Sequence, residues 1–110
     1  VKADINELMK LEPDWDGYDA PPIKASTCAY ACSIVDQLDD NFKDPFVCPI
    51  CNGAIQLEWE MNKQYVEIDI HPDTEIVGAY FEGKGENAEV EGHLIMEEII
   101  GFIKRVHIND

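Results

Sequence analysis

The sequence predicts an α+β fold, in which an antiparallel sheet of about four strands carries two N-terminal helices and one C-terminal helix on one face. Residues 55–61 and 64–70 alternate apolar and polar side chains on either side of a two-residue break, which is typical of a β-hairpin. Amphipathic helical patterns lie before and after this hairpin. The 110 residues, of which 45% are hydrophobic, fit a single domain spanning 1–110.

Two helices are expected before the sheet. Residues 4–11 carry a short apolar stripe, and residues 22–40 form a longer helix that begins at a proline. Residues 14–22 connect them, and Trp15 and Tyr18 are expected to pack onto the core because a short loop seldom exposes two large aromatic side chains.

Acidic side chains recur in these N-terminal segments. The connector is expected to point its aspartates outward, and the second helix ends in aspartates at the end that the helix dipole disfavours. A calcium loop is an alternative for the connector, but the spacing and the closing Glu of an EF-hand do not fit. The aspartates concerned are Asp14, Asp16 and Asp19 in the connector and Asp36, Asp39 and Asp40 in the helix.

The hairpin turn, Asn62-Lys63, sets the register of the sheet. On the polar face Glu58 then lies opposite Glu67, and Gln56 lies opposite Asp69. Like charges that face each other directly on a sheet are destabilising. We therefore expect the negative field of this face to have a use.

The remaining strands and the last helix follow from shorter patterns. Residues 45–50 predict an edge strand with proline at or near each end, and residues 75–82 predict a strand in which Ile70 pairs with Glu75 and Tyr80 joins Tyr65 on the polar face. Residues 86–92 fit either a last strand or an acidic loop. Residues 93–107 predict a closing amphipathic helix.

The excess of acidic residues limits the classes of partner that the protein can bind. Twenty-three acidic and eight basic residues give a formal net charge of −15 and a pI near 4.3. The acids are spread along the chain, which indicates an acidic folded surface that repels nucleic acid and anionic membranes and attracts basic proteins. No apolar run could span a bilayer and the first residues resemble no signal peptide, so a cytoplasmic location is expected. Solubility alone is the simpler explanation of the charge.

The cysteines raise the possibility of zinc. Cys48 and Cys51 have the spacing of a zinc knuckle, which supplies two ligands. Cys28 and Cys32 lie one helical turn apart and can supply the other two, with His93 as a further candidate. However, small thiols on the apolar stripe of a helix need no metal. The sequence therefore predicts a protein without a cofactor, and a zinc site of four cysteines is the alternative.

Catalysis is not expected. Glu58 and Glu67 have the separation of a general acid and base, with Cβ atoms about 5 Å apart. An open sheet face keeps such carboxylates in water, and acid–base chemistry needs a desolvated pocket. The sequence instead predicts a binding protein without catalysis.

The polar face of the hairpin suggests the kind of partner. Carboxylates at alternate strand positions lie about 6.6 Å apart, a scale comparable to the phosphates of nucleic acid. We therefore expect a DNA-mimicking inhibitor or sequestering protein that binds a basic, nucleic-acid-binding complex but neither nucleic acid nor membrane. The expected contact residues are Glu58, Glu60, Glu67, Asp69, Tyr65 and Tyr80, together with the six aspartates of the N-terminal segments.

Two stretches resemble a family of small, poorly characterised bacterial and phage-associated proteins. Residues 15–22, W-D-G-Y-D-A-P-P, resemble the family's W-D-G-Y-G-A-x-P opening, with Asp19 where Gly is usual. Residues 53–60, G-A-I-Q-L-E-W-E, and residues 66–69, V-E-I-D, resemble its G-G-I-Q-L-E-W-E and V-E-I-D segments. The resemblance implies no catalytic residue and no shared zinc site. By size and acidity the chain also resembles anti-CRISPR proteins, and an antitoxin-like role is a further alternative.

Overall fold

The computed structural model describes residues 2–38, 42–61, 63–72, 76–83 and 85–108. It confirms an α+β fold with one antiparallel sheet, but the sheet has five strands rather than four. The additional strand is formed by residues 86–92, for which the sequence predicted either a last strand or an acidic loop. In order across the sheet the strands are β1 (Phe46–Pro49), β2 (Ile55–Met61), β3 (Gln64–Ile70), β4 (Val77–Gly83) and β5 (Glu86–Gly92).

The helices are shorter than predicted at several ends. The first is α1 (Lys2–Glu7), which continues as a 3₁₀ turn at Leu8–Lys10. The second, α2 (Ala25–Asp36), begins three residues later than expected because Lys24 is still extended, with φ −70° and ψ 145°. Its predicted last residues, Asp39 and Asp40, lie outside the described residues.

The last helix, α3 (Met96–Ile108), also begins three residues later than predicted. Ile95, which was expected on its buried stripe, precedes the helix and is 59% exposed. None of the helices that the structure describes has the length and apolar character needed to span a bilayer.

The core lies between the helices and one face of the sheet. Alternation in the central strands turns every second side chain inward, and the helices contribute their apolar stripes, as the sequence predicted. The largest fully buried apolar side chains are Ile5, Ile34, Ile55, Leu57, Trp59, Val66, Ile68, Ile70, Val77, Ile99 and Ile103.

The hairpin of β2 and β3 has the predicted register, with Glu58 opposite Glu67 and Gln56 opposite Asp69. The predicted pairing of β3 with β4 was wrong by two residues, because Ile70 lies opposite Val77. Its expected partner, Glu75, lies outside the described residues. A shift of two residues keeps each side chain on its predicted face, since the faces alternate with a period of two.

The turn of this hairpin leads to a first testable prediction. Lys63 has φ 64°, in the left-handed region that favours glycine, and its side chain is exposed. We expect Lys63→Gly to increase the free energy of unfolding by about 0.5–1 kcal/mol, measured by urea denaturation. Lys63→Ala is the control, because it removes the same charge and keeps the strained backbone. An equal gain from both variants would refute the explanation.

The connector before α2 differs from the prediction. Tyr18 is 89% exposed, and Trp15 is half-buried with its Nε1 donating to the carbonyl oxygen of Pro21 at 2.7 Å. The loop is instead held by its own acids. Asp14 Oδ1 accepts the N–H of Asp19 at 2.7 Å, and a second aspartate accepts two further N–H groups. Short aspartate side chains often satisfy a loop backbone in this way, so no aromatic anchor is needed.

Candidate functional site

The outer face of the sheet, which the helices leave uncovered, carries the candidate site. The register places the outward side chains in three rows across the strands, and seven of them are carboxylates. We call these seven the acidic face. No Lys or Arg occurs in any of the five strands. The acidic face consists of Glu58, Glu60, Glu67, Asp69, Glu82, Glu89 and Glu91.

The middle row crosses all five strands. Starting at β1 it reads Phe46, Glu58, Glu67, Tyr80 and Glu89, each residue opposite the next in the ladder. Neighbouring strands lie about 4.8 Å apart, so the carboxylates of one row repel one another at short range. The opposed acidic pair predicted from the hairpin is therefore present, and its row continues with an aromatic side chain on either side and a further carboxylate on β5.

Asp69 shows the cost of this arrangement. Its Oδ1 is buried and accepts no hydrogen bond from any described residue. Burial, the hydrogen bond to Glu67 and the negative charges of Glu67 and Glu58 raise its pKa from 3.8 to about 7, although a hydrogen bond from Gln56 acts in the opposite direction. Removing a carboxylate from water while surrounding it with like charges favours the protonated form.

A notch lies beside Asp69, at the position where Gly78 has no side chain. A Cβ built on Gly78 would come within 3.5 Å of Glu91 Oε2 and 3.7 Å of the Asp69 Cβ. His71 also lies here, with its Nε2 3.8 Å from Glu91 Oε2. Because Gly78 has no side chain, the carboxylates of Asp69 on β3 and Glu91 on β5 can approach each other across β4.

Two tyrosines, Tyr65 and Tyr80, lie on the outer face among the carboxylates, as predicted. They are diagonal neighbours rather than the directly opposed pair that the predicted register gave, because β4 is shifted by two residues. The rings of Tyr65 and Tyr80 meet edge to face, with their centroids 6.1 Å apart. The hydroxyl of Tyr65 donates to Glu67 Oε1 at 2.8 Å. Burial and the neighbouring glutamates raise the pKa of both phenols, so both remain neutral donors. They provide rigid aromatic surface in a charged environment.

The four predicted N-terminal aspartates that the structure describes do not join the acidic face, and the other two, Asp39 and Asp40, lie outside the described residues. Asp14 and Asp16 use their carboxylates to hold the loop between α1 and α2. Asp19 lies in the same loop and has φ 63°, in the left-handed region that favours glycine. Asp36 ends α2, which packs on the other face of the sheet.

The structure does not bring the four cysteines together. Cys28 is buried in the core on the inner face of the sheet, whereas Cys48 lies on β1 opposite Gln56, on the outer face. Burial raises the pKa of both thiols, assisted by Cys32 for the first and by Glu58 for the second. Within the described ranges, no three His, Cys, Asp or Glu side chains are arranged to hold a metal ion.

Sequence reasoning placed Glu82 on the outer face without counting it as a contact residue, and it missed three outward residues: Phe46, Glu89 and Glu91. The two acids of β5 could have been found from the strand alternation, because β5 reads E-N-A-E-V-E-G with Ala88 and Val90 on the opposite side. Phe46 could not be found in this way, because the face of the sheet on which its side chain lies depends on how β1 pairs with β2.

Comparison with models of known protein families, with curated proteins and with solved structures gives no significant match to this chain. The motif resemblance of residues 15–22 and 53–69 therefore stays a prediction, and the functional argument depends on the geometry of the acidic face.

Proposed function

We propose that this protein binds a basic protein that handles nucleic acid, and that its acidic face occupies the surface on which that partner would hold phosphates. The observation that carries the proposal is the set of seven carboxylates on one sheet face whose strands contain no Lys or Arg. The role is one of binding and inhibition without catalysis.

The spacing of the carboxylates supports this proposal. Along a strand the outward acids are about 6.6 Å apart, and between neighbouring strands about 4.8 Å. Nucleic acid also presents its charges at separations of several ångströms, and basic grooves recognise them largely by electrostatics. A face of this kind accelerates encounter with a basic partner and disfavours acidic ones.

The location of the acids favours binding over simple solubility. Exposed positions outside the sheet can carry negative charge in full contact with water, as Glu12 in the loop before α2 and Glu97 on α3 do. Glu58, Glu67 and Asp69 instead lie half-buried beside one another, and the raised pKa of Asp69 records an unfavourable environment for its charge. Solubility does not require this arrangement, whereas a partner that supplies cations relieves it.

Two charge variants test the proposal. In the face variant, Glu60, Glu82, Glu89 and Glu91 are changed to Gln; all four side chains are exposed. In the control variant, Asp4→Asn accompanies Glu7→Gln, Glu12→Gln and Glu97→Gln, which removes the same charge from exposed positions outside the face. Each immobilised protein is incubated with a bacterial lysate, and the retained proteins are identified by mass spectrometry and competed with double-stranded DNA.

We expect the wild type and the control variant to retain the same basic nucleic-acid-binding proteins and DNA to displace them. The face variant should bind them about tenfold more weakly, because several interfacial charge pairs are lost. Equal retention by all three proteins would contradict the proposal. Equal loss by both variants would show that net charge alone governs binding.

A further inference from the structure

A groove lies at one corner of the acidic face, where β1 is shorter than its neighbour. β1 begins at Phe46, opposite Glu58, whereas β2 continues to Met61. Glu60 on β2 therefore has no β1 residue beside it, and its partner on β3 is Tyr65. The space that remains is a groove of about 540 Å³. We call it the Phe46 groove.

The wall of the Phe46 groove is the segment that leads into β1, and it is anchored at two points. Trp59 Nε1 donates to the carbonyl oxygen of Lys43 at 2.9 Å from inside the core. Lys43 Nζ donates to the carbonyl oxygen of Glu60 at 2.8 Å across the unpaired part of β2. The Lys43 ammonium is thus engaged with backbone, and the wall is held in place.

The lining combines exposed aromatic surface with carboxylates. The Phe46 side chain is 68% exposed, although large apolar side chains are usually covered. Tyr65 lies at the groove as well, fixed by its hydrogen bond to Glu67. Among the described residues that line the groove, the carboxylates are Asp44, Glu58 and Glu60, and the ammonium is that of Lys43.

We propose that the Phe46 groove holds an arginine side chain of the basic partner. This inference rests on the proposed function and names the group that the partner inserts. The planar guanidinium stacks on Phe46 and directs its N–H groups to Glu58 and Glu60. Lysine fits less well, because its compact ammonium is strongly hydrated and cannot stack as a plane.

Defined peptides test the inference without knowledge of the partner. Three short peptides of equal length carry arginine, lysine or citrulline at the same positions; citrulline keeps the shape of arginine without its charge. Affinities are measured by NMR titration with the wild type, with Phe46→Leu and with Ile95→Ala. Ile95 is also exposed but lies outside the acidic face, so its variant controls for loss of apolar surface.

We expect the wild type and Ile95→Ala to bind the arginine peptide about fivefold more tightly than the lysine peptide, and the citrulline peptide most weakly. The arginine peptide should shift the resonances of Phe46, Glu60 and Tyr65. In Phe46→Leu, which keeps an apolar side chain, the two cationic peptides should bind equally. Since Phe46 is largely exposed, this variant is expected to fold.

The outcomes separate the two proposals. If the arginine and lysine peptides bind the wild type equally, or if Phe46→Leu keeps the preference, the arginine site is refuted and the acidic face still binds cations. If neither cationic peptide binds more tightly than the citrulline peptide, even at low salt, the proposed function itself fails.

Discussion

Asp69→Asn is expected to stabilise the protein at pH 8 and to leave its stability unchanged near pH 4. Asn has the shape of a protonated aspartic acid, so it retains hydrogen bonding to Gln56 and Glu67 without the charge. The expected gain at pH 8 is about 1–2 kcal/mol in the free energy of unfolding, a value reduced to allow for solvent screening on an open sheet face. It corresponds to an increase of about 5 °C in the melting temperature.

The sign follows from the direction of the pKa shift. The pKa of Asp69 is about 7 in the folded protein, against an ordinary value of 3.8. Between these values the folded state binds the proton more tightly than the unfolded state does. The resulting stability is fully present below about pH 4 and is lost as the pH rises through about 7. The charged groups nearby are Glu58, Glu67 and Glu91, with His71 beside the last of these.

Urea denaturation at several pH values measures this effect. Glu97→Gln is the matched control, since it removes one exposed carboxylate at the start of α3. The difference between Asp69→Asn and the wild type should grow between pH 4 and pH 8, while the difference for Glu97→Gln should not. If Asp69→Asn increased the free energy of unfolding by the same amount at every pH, the negative charge of Asp69 would not be the cause of the destabilisation.

Trp59→Phe is expected to lower the free energy of unfolding by about 2–3 kcal/mol. Trp59 is 2% exposed, and the smaller ring leaves a void on the inner face of the sheet. The variant also removes the donor to the carbonyl oxygen of Lys43, which holds the wall of the Phe46 groove. Hydrogen–deuterium exchange should therefore increase most in residues 42–46.

Trp15→Phe provides the control, because it removes the same kind of indole hydrogen bond from the loop between α1 and α2. Trp15 is only half-buried, so we expect this variant to lose less than half as much stability. It should leave exchange in residues 42–46 unchanged. If both variants lose equal stability, Trp59 does not contribute the core packing and the anchoring of the groove wall that we assign to it.

The central hairpin could be predicted from the sequence because two constraints agree. Alternation in β2 and β3 decides which side chains face the core, and a two-residue turn allows one register. These constraints also place Glu58, Glu67, Asp69 and Tyr65 on the outer face. The α+β class follows from the amphipathic helical patterns on either side of the hairpin.

The helix ends and the connector were predicted less well, because local propensity does not determine them. The prediction began the second helix at a proline two residues before Lys24, but Lys24 is still extended and the helix begins after it. Tyr18 was expected in the core on grounds of size, yet aspartates hold the loop and leave that ring in solvent. Competition between side-chain and backbone hydrogen bonds is not visible in hydrophobic periodicity.

The sequence by itself determined the fold class, the hairpin register and the acidity of one sheet face. The period of two along each strand and the two-residue turn determine the register and the acidic face, and the helical patterns on either side determine the α+β class. The tertiary structure alone decided how far that face extends and where it has a groove. Ile50 and Ala54 close the turn before β2, with a 2.9 Å bond from N–H to carbonyl, and this turn places Phe46 opposite Glu58. The length of β1 then leaves Glu60 without a β1 neighbour, because strand ends depend on how separate segments pack together.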